Sequence, residues 1–425
     1  MAAAAPFDAP RPFDADVIIA GAGIAGATLA LALKQGGLTP LLIDQVAFEG
    51  QVAATFDGRS SAIAYAAFRQ WRALGVAQAL EPQVQRIEQI LVTDGKAPGA
   101  SSGAPHGAFL RFDAAEIADR SDGEPLGYML ENRHIRAALA LAVAAAQITV
   151  LAPASVRGAS FDATSATVTL NDGRTLRAPL VVGAEGRGSA IRAAAGIGEV
   201  GWDYRQTGVV ATVRLERPHG GVAHEYFLPG GPFAILPLTG DRASLVWTES
   251  NARGAALKAA RPEVFHAHLR RRFGEFLGAA TVEGPVFTYP LSLQMAERFA
   301  APRVALLGDA AHGVHPIAGQ GLNLGLKGAA ALAQVLVDAA RQGEDFGSLA
   351  VIERYAAWRR FDTVTLSAGM DAFVRLFSND NPVLRLARDA GMAVVNRIGP
   401  ARRFFMTEAG GAVGDLSRLL RGEGL

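Results

Sequence analysis

The apolar positions of this chain fall into short uninterrupted runs, and three of those runs end in a turn rich in glycine with an acidic residue close by. The first run, DVIIA over 16–20, is followed at once by Gly21-Ala22-Gly23-Ile24-Ala25-Gly26 and a helix over 27–35. The second, LVV over 180–182, leads into Gly183-Ala184-Glu185-Gly186-Arg187 and a short helix. The third, VALL over 304–307, leads into Gly308-Asp309. It then meets His315-Pro316-Ile317-Ala318-Gly319-Gln320-Gly321, a turn that opens a helix from Asn323 to about Val337. Runs that are apolar at every position predict strands covered on both faces, as in a parallel sheet.

Elsewhere the period changes. Residues 62–74 read as a helix stopped by Gly75, and Asn132 opens a helix over 135–146. Strands are predicted over 41–43, 90–93, 108–112, 148–151, 166–170 and 175–178, with Asn171-Asp172-Gly173 as a hairpin turn. From 209 to 289 the texture becomes alternating, which predicts a largely antiparallel sheet, interrupted by helix near 263–277. Helical patterns over 329–340, 353–365 and 366–378 form a tail.

The fold class expected is therefore α/β: a discontinuous Rossmann-like domain, a second, largely antiparallel β-sheet domain, and a helical C-terminal tail. The expected division is a disordered lead (1–15), Rossmann-like parts at 16–85, 108–200 and 296–340, an excursion at 86–107, the second sheet at 201–295 and C-terminal helices at 341–425.

Strand, G-x-G-x-x-G, helix, strand, acid is the dinucleotide fingerprint in its required context. Gly21 permits the tight turn, Gly23 the approach of a pyrophosphate, Gly26 the close fit of helix on strand. Asp44, ending the run 41–43, has the spacing of a ribose-binding acid. A second G-x-G-x-x-G at 196–201 follows a helix rather than a strand, and is read as a link. The three acids at strand ends, Asp44, Glu185 and Asp309, are expected to line one cleft, because open α/β sheets bind ligands at the carboxyl ends of their strands. The turn before Asn323 combines backbone N–H groups with a helix N-terminus, an anion site. An adjacent Asp suits a ligand that carries hydroxyls as well as an anion.

Composition narrows the partners. With 41 basic and 40 acidic residues there is no charge excess for nucleic acid. The absence of cysteine excludes disulfides, thiolate metal sites and a Cys nucleophile, and fits a reducing compartment. No metal-spaced His cluster and no Ser-His-Asp arrangement stands out. The lead lacks a signal-peptide core and no apolar stretch is long enough to span a bilayer. A cytoplasmic protein is expected. The segment with Arg385, Arg388, Arg397, Arg402, Arg403, Phe404 and Phe405 leaves room for contact with the inner membrane face or a biosynthetic partner. The oligomeric state stays open.

The three motifs together, in this order, resemble the single-component FAD aromatic hydroxylases with the para-hydroxybenzoate hydroxylase fold. The string from His315 to Leu326, and Asp57-Gly58-Arg59 with Ser61-Ala62-Ile63, resemble the ubiquinone-biosynthesis branch. The resemblance implies FAD as cofactor, NADH or NADPH as reductant, and O2 that adds at flavin C4a to give a hydroperoxide able to hydroxylate an aromatic ring. It implies a polyprenylated phenol as substrate; the ring position is open. Gly21, Gly23, Ile24, Ala25 and Gly26 would cradle the pyrophosphate, Asp44 the ribose, and Arg59 would lie near the phosphates. Asn132 matches a flavin-contacting position. Glu185-Gly186 replaces the usual Asp-Gly pair. Gly308-Asp309 would hold the ribityl chain, and Pro316, Gly319, Gln320, Gly321, Leu322 and Asn323 would lie by the flavin ring.

No catalytic residue is singled out; His315, His224 and Tyr226 are the candidates, each with an ordinary structural alternative. Phe227, Phe233, Leu236 and Pro237 are candidate linings for a prenyl chain. The competing readings are a hydroxylase of a small soluble aromatic, and a non-catalytic prenyl-binding module of the Rab-escort type. A flavin halogenase is disfavoured by the lack of W-x-W-x-I-P.

Overall fold

The computed structural model describes residues 13–53, 55–94, 109–116, 123–228, 230–315, 319–377, 399, 403, 406–407 and 410–425. The backbone alone is described at 94, 109, 370 and 372–377. The apolar runs form a six-stranded sheet in the order Ala300–Ala301, Val304–Leu306, Leu180–Gly183, Val17–Ala20, Pro40–Ile43, Thr149–Leu151. All pairings are parallel except that of the short edge strand Ala300–Ala301. Val17, Ile18, Val181, Val182, Val304 and Leu306 are fully buried, which explains why these strands show no polar alternation. Helix Ile24–Gln35 packs between Asn132–Ala145 and Gln320–Arg341. The last of these packs in turn on Leu349–Phe377.

The second sheet has eight strands, ordered His312–Gly313, Ala280–Ala296, Glu199–Leu215, Arg242–Ser250, Gly231–Leu238, Val222–Leu228, Gln89–Asp94, Phe109–Asp113. It is antiparallel apart from the pairing of Val222–Leu228 with Gln89–Asp94. One face is covered by Asn251–Ala259 and Pro262–Phe273, with Tyr226, Phe233, Trp247, Phe265, Leu269 and Phe273 as its core. Ile90, Val92, Phe227, Leu236 and Val246 of this sheet line a cavity.

The structure corrects several expectations. Residues 62–74 are not all helix: Ser60–Ala64 is a strand paired with Gly127–Glu131, and the helix is Tyr65–Ala73. Strand pairing decides the state of an Ala/Ser stretch with no strong preference of its own. Phe109–Asp113 belongs to the eight-stranded sheet, past the limit of 107 set for the excursion. Of the lead, residues 1–12 lie outside the described residues, but Asp14 is fixed, its N–H donating to the Arg177 carbonyl at 2.9 Å and its carboxylate accepting from Arg177 N–H at 2.7 Å. The tail is one helix, Leu349–Phe377, rather than two. Of the string Gly196–Gly201, read as a link, Gly196–Gly198 links helix Ala190–Ala194 to the next strand and Glu199–Gly201 already belongs to that strand, Glu199–Leu215. The loop over 95–107 and most of the basic C-terminal segment lie outside the described residues. No described helix is long and apolar enough to cross a membrane.

Candidate cofactor site and active site

Three neighbouring parallel strands deliver the three turns to one edge. Gly21 N–H donates to the Ile43 carbonyl at 2.7 Å, Ala184 N–H to Ala20 at 2.7 Å and Leu307 N–H to Gly183 at 2.9 Å. Backbone thus ties each turn to the next strand. Gly21 has φ +106°, and a Cβ there would lie 2.2 Å from the Ala184 oxygen. A Cβ on Gly26 would lie 2.0 Å from the Gly21 oxygen, whereas one on Gly23 would meet nothing within 4 Å. Two glycines are required by contact within the fold; the third leaves open space where a ligand can reach the backbone. Asp44 braces this loop, accepting from Ala22 N–H at 2.7 Å and Val46 N–H at 2.9 Å.

Asp309 opens halfway into the cavity, 3.8 Å from the Arg187 guanidinium. Its position deep in the protein pushes its carboxyl above the ordinary value, while Arg187 and Arg59 pull it down. It makes no hydrogen bond to a described residue, so its oxygens remain available to a ligand. Glu185 is already engaged: it accepts from Ser189 Oγ at 2.6 Å and Ile191 N–H at 3.1 Å, organising the start of helix Ala190–Ala194. Burial raises its pKa and these bonds oppose the rise. Gly319, at φ +64°, caps Gln320–Arg341. Asn323 spends its side chain on backbone: it accepts from Ala64 N–H (2.9 Å) and donates to the Ala62 (2.9 Å) and Gly319 (3.1 Å) carbonyls.

A network invisible in the sequence joins the loop at Asp57 and helix Asn132–Ala145 to strand Ala280–Ala296 of the eight-stranded sheet. The buried Asp57 carboxylate accepts from Arg59 (2.9 Å twice), Arg136 (2.7 Å), Asn132 Nδ2 (3.2 Å) and the Tyr289 hydroxyl (3.2 Å). Burial alone would raise its pKa, but Arg59 and Arg136 outweigh that and hold it well below the usual carboxylate range. Arg59 also lies over the Tyr289 ring, 4.9 Å from its centroid. Gly58 makes room for Phe287, whose ring carbon would stand 2.0 Å from an added Cβ. Asn132 accepts from Ser61 Oγ at 2.6 Å. The Asp-Gly-Arg string was the only available signal, since its partners lie 79 and 232 positions away.

All these turns line one cavity of about 1680 Å³. That exceeds the roughly 300–1,000 Å³ of a pocket for one small ligand, and leaves room for a dinucleotide with a second molecule. Every residue expected at the cofactor lines it, from Gly21 through Asp44, Arg59, Asn132 and Glu185-Gly186 to Gly308-Asp309 and Gly319–Asn323; the exception is Pro316, which lies outside the described residues. The catalytic candidates fare differently. His315 lines the cavity, edge-on to Tyr204 at 5.2 Å, and burial lowers its pKa to about 4. Tyr226 points the other way, and His224, although it borders the cavity, turns its ring into the core. The His224 ring packs on Phe276 at 4.8 Å and Tyr226 stacks on Phe233 at 6.2 Å, both within the core beneath the helices. Phe233 belongs to that core too, and Pro237 does not line the cavity, whereas Phe227 and Leu236 do. Glu225, on the same strand as Phe227, brings a carboxyl to this wall.

Residues 14–360 match the family model described as FAD binding domain. A ubiquinone hydroxylase of Rhodospirillum rubrum, UbiL, is 45% identical over 96% of this chain and 93% of its own length. The chain belongs to the FAD-dependent aromatic hydroxylases of the ubiquinone-hydroxylase family. The 3-demethoxyubiquinol 3-hydroxylase of Escherichia coli, another similar protein, is 35% identical over 91% of this chain and 96% of its own. Among solved structures, the p-nitrophenol 4-monooxygenase PnpA of Pseudomonas putida has a TM-score of 0.77 at 18% identity, covering 93% of this chain and 97% of that one, a likeness of fold. The hydroxylase is thus an FAD-dependent monooxygenase, and its cradle fits the cofactor. Gly23 leaves the backbone open, Asp309 offers oxygens that no described residue hydrogen-bonds, and the first turn of Gln320–Arg341 lines the same cavity.

Proposed function

We propose that this hydroxylase inserts one oxygen atom of O2 into the ring of a polyprenylated phenol on the route to ubiquinone, with NADH or NADPH as reductant. The observation that carries the reading is the second half of the cavity. Beyond the nucleotide turns it is walled by Ile90, Val92, Phe227, Leu236 and Val246, an apolar surface suited to a long hydrocarbon chain. UbiL and the Escherichia coli enzyme, named for ubiquinone compounds, support the same substrate class.

In this reading Gly21, Gly23 and Gly26 receive the FAD pyrophosphate, Asp44 the ribose and Asp309 the ribityl hydroxyls. When bound, the flavin supplies the electrons and the activated oxygen that no side chain can provide. The protein's own part is to orient the ring, exclude water and set local charge. The backbone N–H groups at the N-terminus of Gln320–Arg341, which lines the cavity, would stabilise negative charge on a ring system held there. The Asp57–Arg59–Tyr289 network holds the substrate sheet at a fixed distance from the nucleotide turns. A membrane-facing role for the basic C-terminal segment belongs to the same proposal.

The test is oxidation of NADH and NADPH by the yellow holoenzyme, with and without prenylphenols, followed by product mass. Prenylphenol-dependent oxidation with a product one oxygen heavier is expected. Turnover of small soluble phenols alone would overturn the substrate class.

A further inference from the structure

Glu225 is the side chain on the cavity wall that the cofactor does not explain. It stands mid-strand in Val222–Leu228, where Ala223, Glu225 and Phe227 face the cavity, Tyr226 enters the core beneath the helices, and His224 borders the cavity with its ring packed on Phe276. Its direct cross-strand neighbours are Val92 on one side and Ala234 on the other. Diagonally lie Ile90, Pro232 and Leu236, and the register places Asp94 at the fourth diagonal position, so it is the other titratable residue on this face of the neighbouring strands. No described residue gives its carboxyl a hydrogen bond or an ion pair. Of the other polar groups that border the cavity, the Thr248 and Ser60 hydroxyls also lack a partner among the described residues, while several charged ones are committed. Arg59 and Tyr289 are bound to Asp57, Arg187 and Asp309 face each other at the nucleotide end, and Arg359 is paired with Asp362. A half-buried carboxyl that no described residue engages, on a mostly apolar wall, is open to a polar group that enters the cavity.

We propose that Glu225 is the polar anchor for the ring oxygen of the substrate. This rests on the phenol reading above and adds the group that recognises the phenol. Burial without a compensating partner pushes the Glu225 carboxyl up to about 8, so at neutral pH it is mostly protonated. A protonated carboxyl both donates and accepts, and can accept the phenol O–H while donating to a neighbouring ether or hydroxyl oxygen. The apolar rows beside it then take the chain. Fixing the ring by one oxygen in an otherwise apolar chamber decides which ring carbon faces the nucleotide turns, so Glu225 is a determinant of the hydroxylated position.

The experiment uses holoenzyme with Glu225→Leu and Glu225→Gln, a phenol bearing a short prenyl chain, and the matching prenylbenzene without the hydroxyl. Binding is read from perturbation of the flavin spectrum, with FAD content and melting temperature as controls for folding. Glu225→Leu should weaken the prenylphenol about 10- to 100-fold and leave the prenylbenzene unchanged or tighter. Glu225→Gln should keep most of the affinity and lose the wild-type change in affinity near pH 8. Equal prenylphenol affinity in wild type and both variants, at full FAD content, overturns the anchor and leaves the substrate reading intact. A wild type that binds no prenylphenol overturns the substrate reading and the anchor with it.

Discussion

Asn323, in the first turn of the helix that follows the third motif, accepts a 2.9 Å hydrogen bond from the N–H of Ala64, 259 positions earlier. With its donation to the Ala62 carbonyl it acts as a missing strand neighbour, closing the free edge of Ser60–Ala64. Asn323→Leu leaves those two buried backbone groups unpaired, at about 1–3 kcal/mol each. A fall in melting temperature of roughly 3–6 °C is expected by calorimetry, with weaker FAD retention because the Gly319 turn is tied to the same side chain. An unchanged melting temperature would remove the strand-closing role.

Gly26 tolerates no side chain. An alanine there pushes a methyl into the Gly21 carbonyl, backbone against backbone, and neither can rotate away. Gly26→Ala should yield protein that is mostly apo and destabilised by about 1–3 kcal/mol. Gly23→Ala, with open space at its Cβ, should fold normally and lose only cofactor affinity. Comparing flavin absorbance per chain with apo-protein melting separates the two. Equal behaviour in both measurements contradicts the division of labour.

Asp309 contributes no hydrogen bond to a described residue, so Asp309→Ala should leave apo-protein stability nearly unchanged while the purified protein loses most of its yellow colour. Full flavin and full turnover in that variant would sink the ribityl assignment.

The Asp57 carboxyl is held below its ordinary value by Arg59 and Arg136 despite burial. A depressed carboxyl contributes stability that is present above its unfolded-state pKa, near pH 4, and lost as pH falls through the folded value. Asp57→Ala strands the buried Arg136 guanidinium and should cost about 3–5 kcal/mol at pH 7. The gap to wild type should hold from pH 7 to 5 and narrow below 4. Denaturant unfolding at several pH values measures it, and a gap independent of pH would show that charge pairing is not its source.

The three turns were legible because each is local. A tight glycine turn between an apolar run and a helix is specified within about ten residues, and parallel pairing of the runs brings the turns together. The inward face of Val222–Leu228 was not legible. Both faces of that strand are covered, one by Pro262–Phe273 and one by the cavity's own apolar wall, so the sequence His-Glu-Tyr-Phe carries no polar alternation to orient it. Nor could local pattern foresee Asp57 meeting Tyr289, or Ser60–Ala64 being drawn into a strand by Gly127–Glu131. Those outcomes depend on partners that only the folded chain brings near.

The parallel strand Val304–Leu306 supplies the last of the three turns and hydrogen-bonds the flank of Leu180–Gly183. During synthesis the ribosome delivers it more than a hundred residues after its partner. Until then Leu180–Gly183 presents a bare, wholly apolar margin to solvent and to other nascent chains. Flavin capture is therefore a late event in biogenesis. A polypeptide stopped at residue 299 should take up no flavin and self-associate, a state that chaperones must hold in check until translation ends.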